Sequence, residues 1–467
     1  MSPDKGSAAT GPGAYWPRPW TAEDGGPMRW CAATGVSGLR ISDGESLEVA
    51  ASRDAFGCVM VIRREPGELY ALRHDLPRRG GPLASPVEGW VERLDPETLE
   101  AVASTARLPA STYWPGGIAA HACGDLHVVF GRWAWRLDHE SLEVLASHEL
   151  PVDRPHNSFV VLDSGELVTK DCDAPAGQAP STVSVLDPES LEPVVPPLTL
   201  PEPSIARLSS DGATVVALGT TDAYRLVLDR SAGRLRIDPD WKPSYGPAPG
   251  RSYGWDPVIT DEHVLWMDQG RNAVDTTMLG AGSSPDPVRL WWARRDSAEA
   301  VFSTEISGLP YGTESNPPAW DPTTRTVIAY DAGNAVLRAW RMEGDALTPL
   351  WRRDGLAHAG HLIVYPDTRE LVVQDFQQAA ALRSKAIRPV VRRFTESFGR
   401  FEPVRRGGLA LGRDEIAVLD LDTGQTKATV GVPSPCQAFL FPAPGFNRDV
   451  YYQSMTTIAR VRVSAAD

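Results

Sequence analysis

No run of this 467-residue chain is long and apolar enough to span a membrane, and the opening stretch MSPDKGSAATGPGAYWPRPW lacks the apolar core of a signal peptide. The expectation is a soluble, cytoplasmic protein. Cysteine is scarce: the five, Cys31, Cys58, Cys123, Cys172 and Cys436, are far apart and include no CxxC pair. That argues against a disulfide framework or a thiolate zinc site and suits a reducing compartment. An excess of basic charge is missing as well, with 46 Lys and Arg against 60 Asp and Glu, a net charge of -14. Neither nucleic acid nor an anionic membrane is expected as a partner. No HExxH motif, Walker loop, GxGxxG after a strand or GxSxG elbow occurs, so no nucleotide cofactor is expected either.

What is abundant are turn formers and tryptophan: 41 Gly, 41 Pro and 15 Trp, which favour many short strands over helices. One phrase recurs: WVERLDPETLEAV from Trp90, WAWRLDHESLEVL from Trp133, VSVLDPESLEPV from Val183 and, degraded, IAVLDLDTGQTKATV from Ile416. Each is an alternating strand ending in Leu-Asp, a polar turn and a second strand, the pattern of a hairpin. A further hairpin signal lies upstream of each phrase, as in FVVLDSGELVTKD from Phe159. Four strands per unit, repeated, predict an all-β propeller. Units starting near Phe56, Gly116, His156, Glu202, Tyr253, Glu314, His358 and Pro435 make eight blades, with seven as the alternative. The last unit has only three strands, so a strand near GLRISDGESLEVAA is expected to complete it and close the ring, which removes open sheet edges. Residues 1–27 read as a mobile or extended N-terminal segment, and 28–467 as a single propeller domain.

Phrases such as GELYALRHD at Gly67 and VSVLDPESLEPV at Val183 resemble the repeats of PQQ-like and YVTN-type propellers. The resemblance covers most of residues 50–465 and implies fold more than activity. Quinoprotein dehydrogenases of that superfamily are typically exported and carry an adjacent cysteine pair near the cofactor. This sequence has neither feature, so PQQ is not expected. Streptogramin lyase, with histidine acid-base chemistry and a divalent metal, is similar only in architecture.

Four long insertions, at 74–89, 173–181, 269–287 and 376–408, all fall between the second and third strand of a unit. Crowding on one face points to a binding site rather than a scaffold. The last insertion is locally basic and partly helical up to Pro389. Aligning the entries to the innermost strands brings His156, Glu202, Tyr253, Glu314 and His358 into an arc at the channel mouth. His156, His358, Glu202 and Glu314 are the candidate catalytic residues. His156, His358 and His361 are the candidate ligands of a divalent metal. Tyr253, Trp255, Asp256, Asn316, Gln437, Arg392 and Arg393 are the candidate substrate contacts. The pair His358 and His361, in HAGH, can act together only if Ala359 and Gly360 are still loop, because strand residues three apart face opposite ways. The function expected is lyase, isomerase or hydrolase chemistry on a small organic molecule. The alternative is a scaffold or sensor that binds a protein or peptide on the same face.

Overall fold

The structure, a computed structural model, describes residues 13–75, 87–110, 116–172, 179–246, 254–268, 286–310, 312, 316–356, 360–378, 412–434, 441–454 and 456–464. Their strands form eight antiparallel sheets arranged as an eight-bladed propeller. Strands are lettered A to D from the axis outward. The A strands are Cys58–Arg63, Gly117–Ala120, His156–Val161, Ser209–Ser210, Val258–Ile259, Ala319–Asp321, Ile363–Tyr365 and Ala443–Pro444, in blades 1 to 8. They are buried along their length apart from Arg63, whereas D strands such as Ala101–Ser104 and Val144–Glu149 are largely exposed. The ring closes as expected: Ser46–Asp54 is the D strand of blade 8 and pairs antiparallel with Thr457–Ser464.

The core is divided into wedges between blades. Val160, Val168, Val183 and Val185 of blade 3 pack on Leu208, Val215, Ala217 and Tyr224 of blade 4. Alternation along each strand supplies one apolar face to each neighbouring wedge, and each fully buried Val or Leu contributes about 1.5–3 kcal/mol.

The recurring phrase is a turn between strands C and D. In each copy the carboxylate of the aspartate, Asp95, Asp138, Asp187 or Asp420, accepts from the backbone amides two and three residues on at 2.7–3.1 Å. It also accepts from the hydroxyl of Thr98, Ser141, Ser190 or Thr423. The residue four on is left-handed: Leu99, Leu142 and Leu191 at φ 61–65°, and Gly424 at φ 71°. Burial of the three leucines offsets a strain of about 1–2 kcal/mol. The degraded copy uses glycine, for which that conformation is unstrained.

From Gly13 onward the N-terminal segment runs through turns and a 3-10 helix, Glu23–Gly25, across the A-to-B end of the channel. Its backbone bonds to the inner strand of seven blades in turn. Ala14 donates to Leu162 and Trp16 to Ala120, while Arg63, Ser210, Ile259, Trp320 and Val364 donate to Trp20, Pro27, Met28, Trp30 and Cys31. Trp20 Nε1 reaches the eighth through Pro442 O at 3.1 Å. Trp20, Thr21, Ala22, Glu23 and Asp24 are buried, and the segment forms a floor.

The flanking strands place all four long insertions between strands B and C, on the face opposite that floor. Apart from a few flanking residues, the insertions lie outside the described residues.

Candidate functional site

A charged cluster stands on the floor at the axis. Arg207, Asp256 and His361, from the entries to blades 4, 5 and 7, each lie three residues before the A-strand amide, of Ser210, Ile259 and Val364, that bonds to the floor. They therefore reach the axis at one height. Arg207 also lies 4.4 Å from the centroid of the Phe441 ring, and Phe441 enters blade 8. Blades 4 and 8 are opposite in an eight-membered ring, so this contact crosses the axis and the channel is filled at that level. The His361 ring packs on the same phenyl, with centroids 3.9 Å apart.

The floor supplies Glu23, Asp24, Arg29 and Cys31. Arg29 donates to Glu23 Oε1 at 2.5 Å, to Asp24 Oδ2 at 3.0 Å and to Leu208 O at 2.7 Å. Glu23 Oε2 lies 2.9 Å from Arg207 Nε. Asp256 Oδ1 accepts from the Arg207 amide at 2.7 Å, and its Oδ2 is 3.7 Å from the guanidinium. His361 Nδ1 donates to Asp24 Oδ1 at 2.6 Å, and Cys31 Sγ lies 3.5 Å from the same oxygen. Asp24, Arg29 and Cys31 all hold positive φ, at 54–56°. For non-glycine residues such a backbone persists only when its surroundings over-determine it.

Electrostatics follow from this packing. Burial disfavours the charged form of Asp24, but His361 and Arg29 outweigh it and hold the carboxyl down at about 2. Because that carboxylate is acceptor-only, His361 carries its proton on Nδ1. Its Nε2 has no hydrogen-bond partner among the described residues. Glu23 is raised by burial against the pull of Arg29 and Arg207. Burial, reinforced by Asp24, pushes the Cys31 thiol well up. Among the described residues the three carboxylates of Glu23, Asp24 and Asp256 face the two guanidiniums of Arg29 and Arg207.

The expected site residues separate. His156 is the first residue of its strand and buried, but its Nδ1 donates to the carbonyls of Gly131 and Arg154 at 2.9 and 3.0 Å. Burial lowers its pKa to about 4, which leaves a neutral imidazole bonded to backbone. Glu202 lies seven residues before its A strand, and both its oxygens are occupied. They accept from the Thr220 hydroxyl, the Thr221 and Asp222 amides and the Tyr224 phenol at 2.6–2.9 Å, bracing the B-to-C turn of blade 4. Arg207, five residues on, takes the axial place expected of it. Trp255 is buried, and the Asn316 side-chain amide donates to Gly360 O. Among the described residues His156 and His361 do not share a metal-sized cluster; Asp24, Cys31 and His361 do, their ligand atoms all within 4.8 Å of one another. His358, Glu314, Tyr253, Gln437, Arg392 and Arg393 lie outside the described residues.

Beside this cluster, between blades 3 and 4, Lys170 is fully buried and donates to Ser204 O at 2.6 Å. Among the described residues no carboxylate lies within ion-pair distance of it, and burial pulls its pKa down to about 8 against the nearby acidic groups. Sequence reasoning missed Glu23, Asp24, Arg29, Arg207 and Lys170. The available signals were the acid pair of EDGG with a basic residue five and six positions on, and the arginine in EPSIARL.

No protein-family model and no curated protein matches this chain. Among solved structures it is similar to quinohemoprotein alcohol dehydrogenase from Comamonas testosteroni, at 10% identity and TM-score 0.59 over 96% of this chain and 81% of that one. It is also similar to quinohemoprotein alcohol dehydrogenase ADHIIG from Pseudomonas putida HK5, at 10% and 0.56 over 95% and 80%. BamB from Moraxella catarrhalis is similar at 12% and 0.53, over 89% of this chain and 97% of that one. At these identities the likeness establishes the fold alone. The resemblance to PQQ-like propellers holds at that level.

Proposed function

We propose that the protein binds a small organic molecule in the central channel, above the floor and on the side of the B-to-C connections. It acts on that molecule by acid-base or divalent-metal-assisted chemistry of the lyase, isomerase or hydrolase type. The observation that carries this reading is the buried Asp24–His361 pair on the axis, with Nε2 of the imidazole unpartnered among the described residues. A carboxylate on Nδ1 fixes the tautomer and leaves the Nε2 lone pair to take a proton. Lys170, a buried ammonium with no carboxylate at ion-pair distance among the described residues, supplies positive potential for an anionic group on the substrate.

His156 and Glu202 brace the scaffold in this reading and do not touch the substrate, because their polar atoms are bound to backbone and turn. Native mass spectrometry of the purified protein after incubation with a metabolite extract tests it. One compound is expected to be retained, at least about tenfold more weakly by His361→Gln, with Glu202→Gln unchanged. Equal retention by His361→Gln sinks the site. Retention of a protein and of no compound would favour the scaffold reading.

A further inference from the structure

The floor and blade 7 bring three different ligand types to one point: a carboxylate, a thiol and an imidazole, from Asp24, Cys31 and His361, all buried. We infer that these residues bind one divalent transition-metal ion of the zinc class, which clasps the N-terminal segment to blade 7. This deepens the channel reading by choosing metal-assisted chemistry for the same site.

The spacing suits such an ion. Tetrahedral zinc with sulfur, nitrogen and oxygen ligands holds its ligand atoms roughly 3.4 Å apart. Cys31 Sγ and Asp24 Oδ1 are already 3.5 Å apart, and the His361–Asp24 hydrogen bond at 2.6 Å must open by under about an ångström. A sulfur and a nitrogen ligand select zinc, cobalt or a similar borderline ion over magnesium or calcium. Three protein ligands leave a fourth position for water or substrate.

Charge points the same way. The Asp24 carboxylate supplies one negative charge at the point where the three ligand groups meet. A divalent ion with a thiolate adds one positive charge and cancels it. On binding, the Cys31 proton leaves to solvent and the His361 ring proton moves from Nδ1 to Nε2, so no redox partner is needed. Arg29 keeps its bonds to Glu23 and to Leu208 O, and Asp24 Oδ2 stays with Arg29 while Oδ1 turns to the metal.

The test is cobalt titration of the EDTA-treated full-length protein under reducing conditions. We expect one Co2+ per chain, a near-ultraviolet thiolate-to-cobalt band, and displacement by Zn2+. Cys31→Ser abolishes the band, and His361→Ala weakens binding at least about 100-fold. Cys123→Ser, on an exposed thiol, leaves both unchanged. A wild-type protein without the band overturns the inference whether or not the variants fold, as does a band lost in Cys123→Ser but kept in Cys31→Ser. If the metal-free protein retains the same metabolite and shows no band, the clasp fails while the channel reading stands. If the band appears and no compound is retained, the clasp stands and the channel reading fails.

Discussion

Two sets of carboxylates do different work in this molecule. At the rim, Asp95, Asp138, Asp187 and Asp420 are satisfied by amides and hydroxyls two and three residues away. At the axis, the partners come from separate blades: Glu23 meets Arg207, and Asp24 meets His361, 337 positions along the chain. The rim set repeats because each turn solves the same local problem. The axial set does not repeat, and the burial of unlike charges there makes it the candidate functional region.

The comparison breaks first at Arg29. Arg29→Met would leave Glu23 and Asp24 buried beside a single remaining guanidinium and is expected to cost about 3–5 kcal/mol in urea unfolding. A loss near that of a rim turn would mean the axis is wet. Asp24→Asn should cost about 2 kcal/mol at neutral pH. The folded pKa of Asp24, about 2, lies below its ordinary 3.8, so its contribution is present above about pH 4 and fades as pH falls through about 2. Unfolding measured from pH 5 to 2 should therefore show a shallower acid limb in the variant. Glu202→Gln, which keeps the shape but weakens four hydrogen bonds, should lower stability by about 1–2 kcal/mol and leave metabolite retention intact. Smallest is Asp187→Ala at the rim, about 1 kcal/mol by thermal or chemical unfolding, with no change in cobalt binding. If Asp187→Ala proved as costly as Arg29→Met, the distinction between rim and axis would collapse.

Much of the fold was legible, and for a physical reason. Strand alternation, the Leu-Asp turn and the strand that closes the ring each rest on contacts within a hairpin or on the need to cover an edge. The strand-to-strand positions of the four insertions followed from the same count. The site was less legible. The entry EPSIARL offers both Glu202 and Arg207, and alignment by apolar core chose Glu202, which braces a turn, over Arg207, which reaches the axis. Of HAGH, only Gly360 and His361 are described, and His361 owes its role to Asp24 in a segment read as mobile or extended.

The sequence by itself determined a propeller of four-stranded units, its rim turns and the crowding of insertions on one face, because those depend on neighbours a few residues apart. Only the tertiary structure decided that residues 13–33 floor the channel and that Asp24, Cys31 and His361 meet there. Which side chains converge on an axis depends on the height at which each inner strand enters the ring. That height is set by backbone bonds to a distant segment, which no local pattern records.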